Sequence, residues 1–174
     1  EAYDKAARIL GLPYPGGPEI ERLAQDGDPD AFAFPVPLQH TKQVEFSFSG
    51  LKTALLWQVR RLEALGSEGG ELPLANLCAS FQSAVTRALI AKVALAVRTT
   101  GIRSVTASGG VAANSALRRA LTQGVEARRW RAWLPRPSRC TDNAAMIACR
   151  GAYAAEAGKY SDLYLNAVPG LDFQ

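Results

Sequence analysis

Apolar residues recur at helical spacing from residue 73 to residue 99, and at Gly101 that period stops. Leu77, Phe81, Val85 and Leu89 share one face of this long helix, and Ala84, Ala88 and Ala91 widen the apolar arc, so it should be the most buried helix of the chain. Beyond Gly101 the order becomes strand (102–107), glycine loop, helix to about 122, strand (129–134), and a last helix over 142–157 entered through Thr141. Strands alternating with helices cannot close into a helical bundle; they call for an α/β layer arrangement. The first half is mostly helical. It predicts helices over 2–10 and 18–25, an irregular stretch over 26–43, and a third helix carrying Leu51, Leu55, Val59 and Leu62. Val44-Glu45-Phe46-Ser47-Phe48 alternates apolar and polar residues and predicts a strand, giving a mixed sheet with the 73–99 helix packed on it. A glycine-rich break over 66–70 reads as a surface loop. The expectation is an α/β domain with a helix-rich insertion.

At 174 residues, with 48% hydrophobic and 21% charged residues, the chain has room for one well-buried domain, and disorder is excluded. A net charge of +4 permits an acidic partner without demanding one. The most apolar stretch, 88–97, already carries Lys92, so no membrane span is expected. The opening residues lack the order of a signal peptide, and no initiator Met stands before Glu1, so the chain reads as a cut or processed piece. Cys78, Cys140 and Cys149 form no C-x-x-C pair, and their odd number argues for reduced thiols in a cytoplasmic protein. His40 is the one histidine, which excludes H-E-x-x-H and any charge relay built on several imidazoles. Most ligands of any metal would have to come from elsewhere.

Several segments could carry chemistry. Gly109-Gly110 after a strand lets backbone approach a ligand, with helix N–H groups behind it and the Asn114 amide in the first turn. A tight β–α connection capped by Asn114 explains the same residues. Asp142, in Cys140-Thr141-Asp142-Asn143, is either a charge complement to a helix N-terminus or a carboxylate placed at a strand-end crevice to ligate a metal. Asp4, the Pro15-Gly16-Gly17-Pro18 loop and Glu21 read individually as a helix acid, a turn and another surface acid. In the 46–53 segment, Ser49 could cap a helix and Lys52 could reach a phosphate, though solvation explains both. Between 118 and 139 stand seven arginines (Arg118, Arg119, Arg128, Arg129, Arg131, Arg136, Arg139) and one acid, Glu126. Such a strip suits phosphate backbones, and it equally suits a chain that solvates its surface with fifteen arginines to five lysines.

In combination the segments are far more specific. Glu1-Ala2-Tyr3-Asp4-Lys5, Leu12-Pro13-Tyr14-Pro15-Gly16-Gly17-Pro18, Phe46-Ser47-Phe48-Ser49-Gly50-Leu51-Lys52-Thr53 and Ala79-Ser80-Phe81-Gln82 stand in that order. Gly109-Gly110-Val111-Ala112-Ala113-Asn114, then Cys140 through Ala148, and Leu165-Asn166-Ala167 follow. Across essentially its whole length the chain closely resembles the C-terminal half of the TsaD family, the tRNA N(6)-adenosine threonylcarbamoyltransferases once described as glycoproteases.

The resemblance implies an actin-like, sugar-kinase-like fold of two RNase-H-like lobes, with residues 1–174 forming the C-terminal lobe. It implies transfer of a threonylcarbamoyl group from threonylcarbamoyl-adenylate to the exocyclic amine of the adenosine beside the anticodon, in tRNAs reading codons that begin with A. By family position, Asp4, Gly17, Gly110 and Asn114 would bind the adenylate, with Glu21 as a further contact. Asp142 would ligate one divalent metal, iron or zinc. The family's other metal ligands are two histidines in the N-terminal half, and His40 matches neither, so this piece alone is expected to be inactive. The resemblance also implies a non-catalytic paralogue and a small ATPase as partners. Two readings from other classes are an ATP-dependent sugar kinase of the same superfamily and a non-catalytic partner protein of this fold. No nucleophile–base pair or zinc-protease helix supports a peptidase.

Overall fold

Helix α4 (Leu74–Thr100) organises the molecule, as its periodicity predicts, in a computed structural model that describes residues 1–39, 41–66, 72–127 and 129–166. Two compact units are present, Glu1–Cys140 and Thr141–Gln174. In the first, the N-terminal part of α4 packs against α1 (Ala2–Ile9), α2 (Gly16–Ala24) and α3 (Ser49–Leu65). Leu77, Cys78 and Phe81 of α4 meet Ala6, Ile20, Leu51 and Leu55 in one core, all fully buried. Each buried side chain of this size contributes about 1.5–3 kcal/mol. Tyr3 sets its ring edge-on to Phe81, with centroids 5.8 Å apart. Burial, and then the nearby Glu21 carboxylate, push the Tyr3 phenol well above its ordinary pKa.

The C-terminal half of α4 packs on the strand–helix–strand segment that follows it, mainly on its helix. β1 (Ser104–Thr106) and β2 (Arg131–Trp133) run parallel, with Val105 opposite Ala132, and α5 (Ser115–Glu126) makes the crossover between them. Leu117, Leu121 and Trp130 form a second core, against which Ile90, Val93 and Val97 of α4 pack. The predicted packing of this helix on the sheet is thus mainly a packing on α5, with Val105 and Ala132 of the strands meeting the same core.

Several expectations need correction. The described sheet has two strands, both parallel and shorter than predicted, so it is not mixed. Residues 44–48 are not a strand. Alternation marks a strand only where a sheet edge accepts it, and here Val44 and Phe46 are exposed while the Lys92 ammonium holds the carbonyls of Thr41 and Gln43 just upstream. Ser49 is the first residue of α3 and makes no capping bond; its carbonyl accepts from the Thr53 hydroxyl. The predicted 66–70 loop falls, from residue 67 on, outside the described residues. By length and composition α4 is apolar enough to cross a membrane, against expectation. Its place in both cores explains that composition instead, and ten of its residues, Lys92 among them, are buried inside the first unit.

The second unit contains α6 (Ala144–Glu156), none of whose residues is buried. Its cap is Asn143, whose side chain accepts from the Met146 amide, and not Thr141. Asp142 accordingly stands before the helix and outside its first turn.

Candidate functional site

α2 is the axis of the candidate site. At its start, the Gly16 amide donates to Asp4 Oδ1 at 3.0 Å, tying the N-terminus of α2 to α1. A side chain at Gly16 would lie 2.5 Å from the Ala7 Cβ and 2.8 Å from the Asp4 Cα, so the two helices meet there backbone to backbone. Beside it, Gly17 faces open space. One helical turn further on, Glu21 reaches α5, where its Oε1 accepts from the Ser115 amide at 2.8 Å. Two carboxylates on or beside α2 thus each take one backbone N–H at a helix N-terminus, where the dipole favours negative charge.

Asn114 is the cap of α5. Its Oδ1 accepts from the Leu117 amide at 3.0 Å, the capping role that local sequence allowed. Its Nδ2 donates to Gln82 Oε1 at 2.6 Å, and both side chains are buried. The loop before it owes its shape to Gly109, at φ +87° and ψ 169°, a conformation essentially confined to glycine. Gly110 then opens a single 3₁₀ turn, Gly110–Ala113, and is exposed. Arg118 closes this loop from behind, donating from Nη1 to the carbonyls of Ala112 (2.9 Å) and Pro135 (3.0 Å). Arg118 is therefore occupied by backbone and leaves the phosphate-facing strip. Cys140 is buried, with its thiol 3.5 Å from the Arg136 carbonyl.

Asp4, Gly17, Glu21 and Asn114 are linked in this way through α2 and the N-terminus of α5, although 110 positions separate the first from the last. Gly110 lies in the same loop as Asn114. Asp142 belongs to the second unit, is exposed, and makes no hydrogen bond or ion pair among the described residues. No three His, Cys, Asp or Glu side chains among the described residues are grouped to hold a metal ion. Asp142 with the other residues present does not build a transition-metal centre, which requires about three or four protein ligands.

The residue that sequence reasoning passed over is Gln82. Its motif, Ala79-Ser80-Phe81-Gln82, was visible, but nothing local says that the Gln82 amide meets a loop 32 positions away. A polar residue directly after the core residue Phe81, on the buried side of α4, was the available signal.

Comparison with known proteins places the chain in a family. Residues 1–149 match the family described as TsaD: tRNA N6-adenosine threonylcarbamoyltransferase. The chain is 51% identical over 172 residues to a tRNA N6-adenosine threonylcarbamoyltransferase of Symbiobacterium thermophilum, covering 98% of the chain and 49% of that protein. It is 52% identical over 167 residues to one of Geobacter sulfurreducens, covering 96% and 48%. A relative from Dictyoglomus turgidum is 45% identical over 171 residues, covering 98% and 50%. The chain spans about half the length of the curated relatives it matches. With a family match over residues 1–149, the chain belongs to the TsaD family.

Proposed function

We propose that this chain is the C-terminal, actin-like lobe of an enzyme that transfers a threonylcarbamoyl group from threonylcarbamoyl-adenylate to the N6 amine of adenosine beside the anticodon of tRNA. The observation that carries the proposal is the linkage of Asp4, Gly17, Glu21 and Asn114 through α2 and α5.

In the reaction, N6 of adenosine attacks the carbamoyl carbon of the mixed anhydride. The new N–C bond replaces the C–O bond to phosphate, AMP departs with that electron pair, and N6 gives up a proton. This chain contributes binding and orientation, which lower the barrier by holding both reactants in register. The Glu21 Oε2 is left for a hydroxyl donor, because Oε1 is committed to Ser115. A ribose diol is the matching chemistry, since a carboxylate accepts and never donates. Gly17, with no side chain and open space before it, lets a ligand lie directly on the start of α2. Asn114, fixed by Leu117 and Gln82, presents an amide whose rotation is already restricted.

A divalent metal, iron or zinc, enters the proposal through Asp142, with the remaining ligands supplied by the other half of the protein. The present residues do not make that centre by themselves. The same proposal gives the protein a cytoplasmic location with its tRNA, and a non-catalytic paralogue and a small ATPase as partners.

The test is a modification assay with the full-length parent, tRNA and the adenylate donor. Formation of threonylcarbamoyladenosine is expected, with Glu21→Ala and Asn114→Ala raising KM for the donor. Phosphoryl transfer from ATP to a sugar, without tRNA modification, would establish the kinase alternative instead.

A further inference from the structure

We propose that the cleft between the C-terminal end of α4 and the N-terminal edge of the sheet is a groove for RNA backbone phosphates, gripped by Arg98, Arg103 and Arg129. The inference rests on the reading of tRNA as substrate and assigns part of the tRNA grip to a surface remote from the linked ligand positions.

The groove has a volume of about 470 Å³, and no acidic residue lines it. Its three arginine side chains are exposed and make no hydrogen bond or ion pair among the described residues. Their convergence follows from the chain path. Arg98 lies in the last turn of α4, Gly101 reverses the chain in the left-handed conformation, and Arg103 leads into β1. The Arg103 carbonyl accepts from the Arg131 amide at 2.7 Å, which extends the parallel register and brings Arg129 and Trp130 to the same edge. Trp130 gives a fixed wall: it is buried, its Nε1 donates to the Leu121 carbonyl, and its ring packs on Gly124.

Three guanidinium groups gathered without a carboxylate repel one another, and an anion relieves that repulsion. Guanidinium groups match phosphate bidentately. An open groove with exposed cations accommodates a strand passing along it, rather than enclosing a small ion. Its location is also informative. The arginines stand at the N-terminal ends of β1 and β2, whereas the glycine loop and Asn114 follow the C-terminal end of β1. A three-residue strand alone spans about 10 Å, so the groove would hold RNA some distance from the reacting base.

The test uses the full-length parent with Arg98, Arg103 and Arg129 all replaced by Gln, and a second variant with all three replaced by Lys. tRNA affinity is measured by filter binding across 50–200 mM salt, and KM for the adenylate donor is measured at saturating tRNA. The Gln variant should bind tRNA about 10–100-fold more weakly at low salt, and its log–log salt slope should be shallower by about 2–3, for roughly three lost phosphate contacts. The donor KM should stay unchanged. The Lys variant keeps the charges and should stay within a few-fold of the parent, which separates lost charge from lost folding. Inorganic pyrophosphate is the probe for a small-anion site. Micromolar pyrophosphate binding that the Gln variant loses, with tRNA affinity and slope unaltered, would overturn the RNA assignment. A parent that binds tRNA with the same slope as the Gln variant overturns the groove alone. A parent that binds no tRNA overturns the reading of tRNA as substrate as well.

Discussion

Replacing Gln82 by leucine tests whether the candidate site is held from beneath by the core. Leucine is similar in size, so the packing of α4 changes little, but the acceptor for Asn114 Nδ2 is gone. The Asn114 side chain is buried, and water cannot readily substitute. A buried donor left without its partner costs about 1–3 kcal/mol. Asn114→Ala loses the same bond and the α5 cap, worth about 1 kcal/mol by itself. The two changes should therefore not add. The double variant should be more stable than the sum predicts by about 0.5–3 kcal/mol, because once both side chains are gone neither end of the Gln82–Asn114 bond is left unsatisfied. Urea unfolding of the four proteins in the cycle measures this coupling. In the full-length parent, Gln82→Leu should also raise KM for the adenylate, because the Asn114 amide is free to turn. By the conversion of about 1.4 kcal/mol per tenfold, the effect lies between roughly fivefold and a hundredfold. Additive stabilities, with an unchanged KM, would show that the Gln82–Asn114 bond carries no weight.

Other expectations follow from single residues. Gly124→Ala would bring a Cβ to 1.9 Å from the Trp130 ring, and should destabilise the second core by about 1–3 kcal/mol or more, read as a lowered urea midpoint. Lys92→Met removes the ammonium that bonds the Thr41 and Gln43 carbonyls and the Thr41 hydroxyl, and should increase amide exchange over 41–48 while the remainder of α4 keeps its protection. Burial pushes the Cys78 thiol up to about 11, against the smaller opposing effect of Arg22. Because the unfolded thiol loses its proton first, its contribution to stability is complete below pH 9 and falls as pH rises from 9 to 11; stability at pH 8 and pH 10 compared with Cys78→Ala should reveal that loss. Elemental analysis of the 174-residue chain should find no stoichiometric iron or zinc, and Asp142→Ala in the full-length parent should abolish metal retention; metal held tightly by the short chain would refute the first, and metal unaffected by the alanine change the second.

Periodicity determined the two longest helices, α3 and α4. The apolar spacing of α4 is written into consecutive turns, so its burial follows from which residues lie on one face, and the change at Gly101 marks where the sheet begins. The cap at Asn114 was equally local, since its partner is three residues away. The family resemblance named Asp4, Gly17, Glu21 and Asn114 without saying how they meet. Only the tertiary structure decided that. The bonds from Asp4 to Gly16, Glu21 to Ser115 and Gln82 to Asn114 span 12, 94 and 32 positions, and no periodic signal reports a contact between elements that approach only after packing. The 44–48 segment shows the reverse. Its alternation is a true local property, yet a strand also requires an edge offering free N–H and C=O groups, and the Lys92 ammonium takes the carbonyls just upstream. The arginine run was divided in the same way, with Arg118 bound to backbone behind the glycine loop and Arg129 at the far edge of the sheet. A charge is visible in sequence, whereas its partner is a matter of geometry.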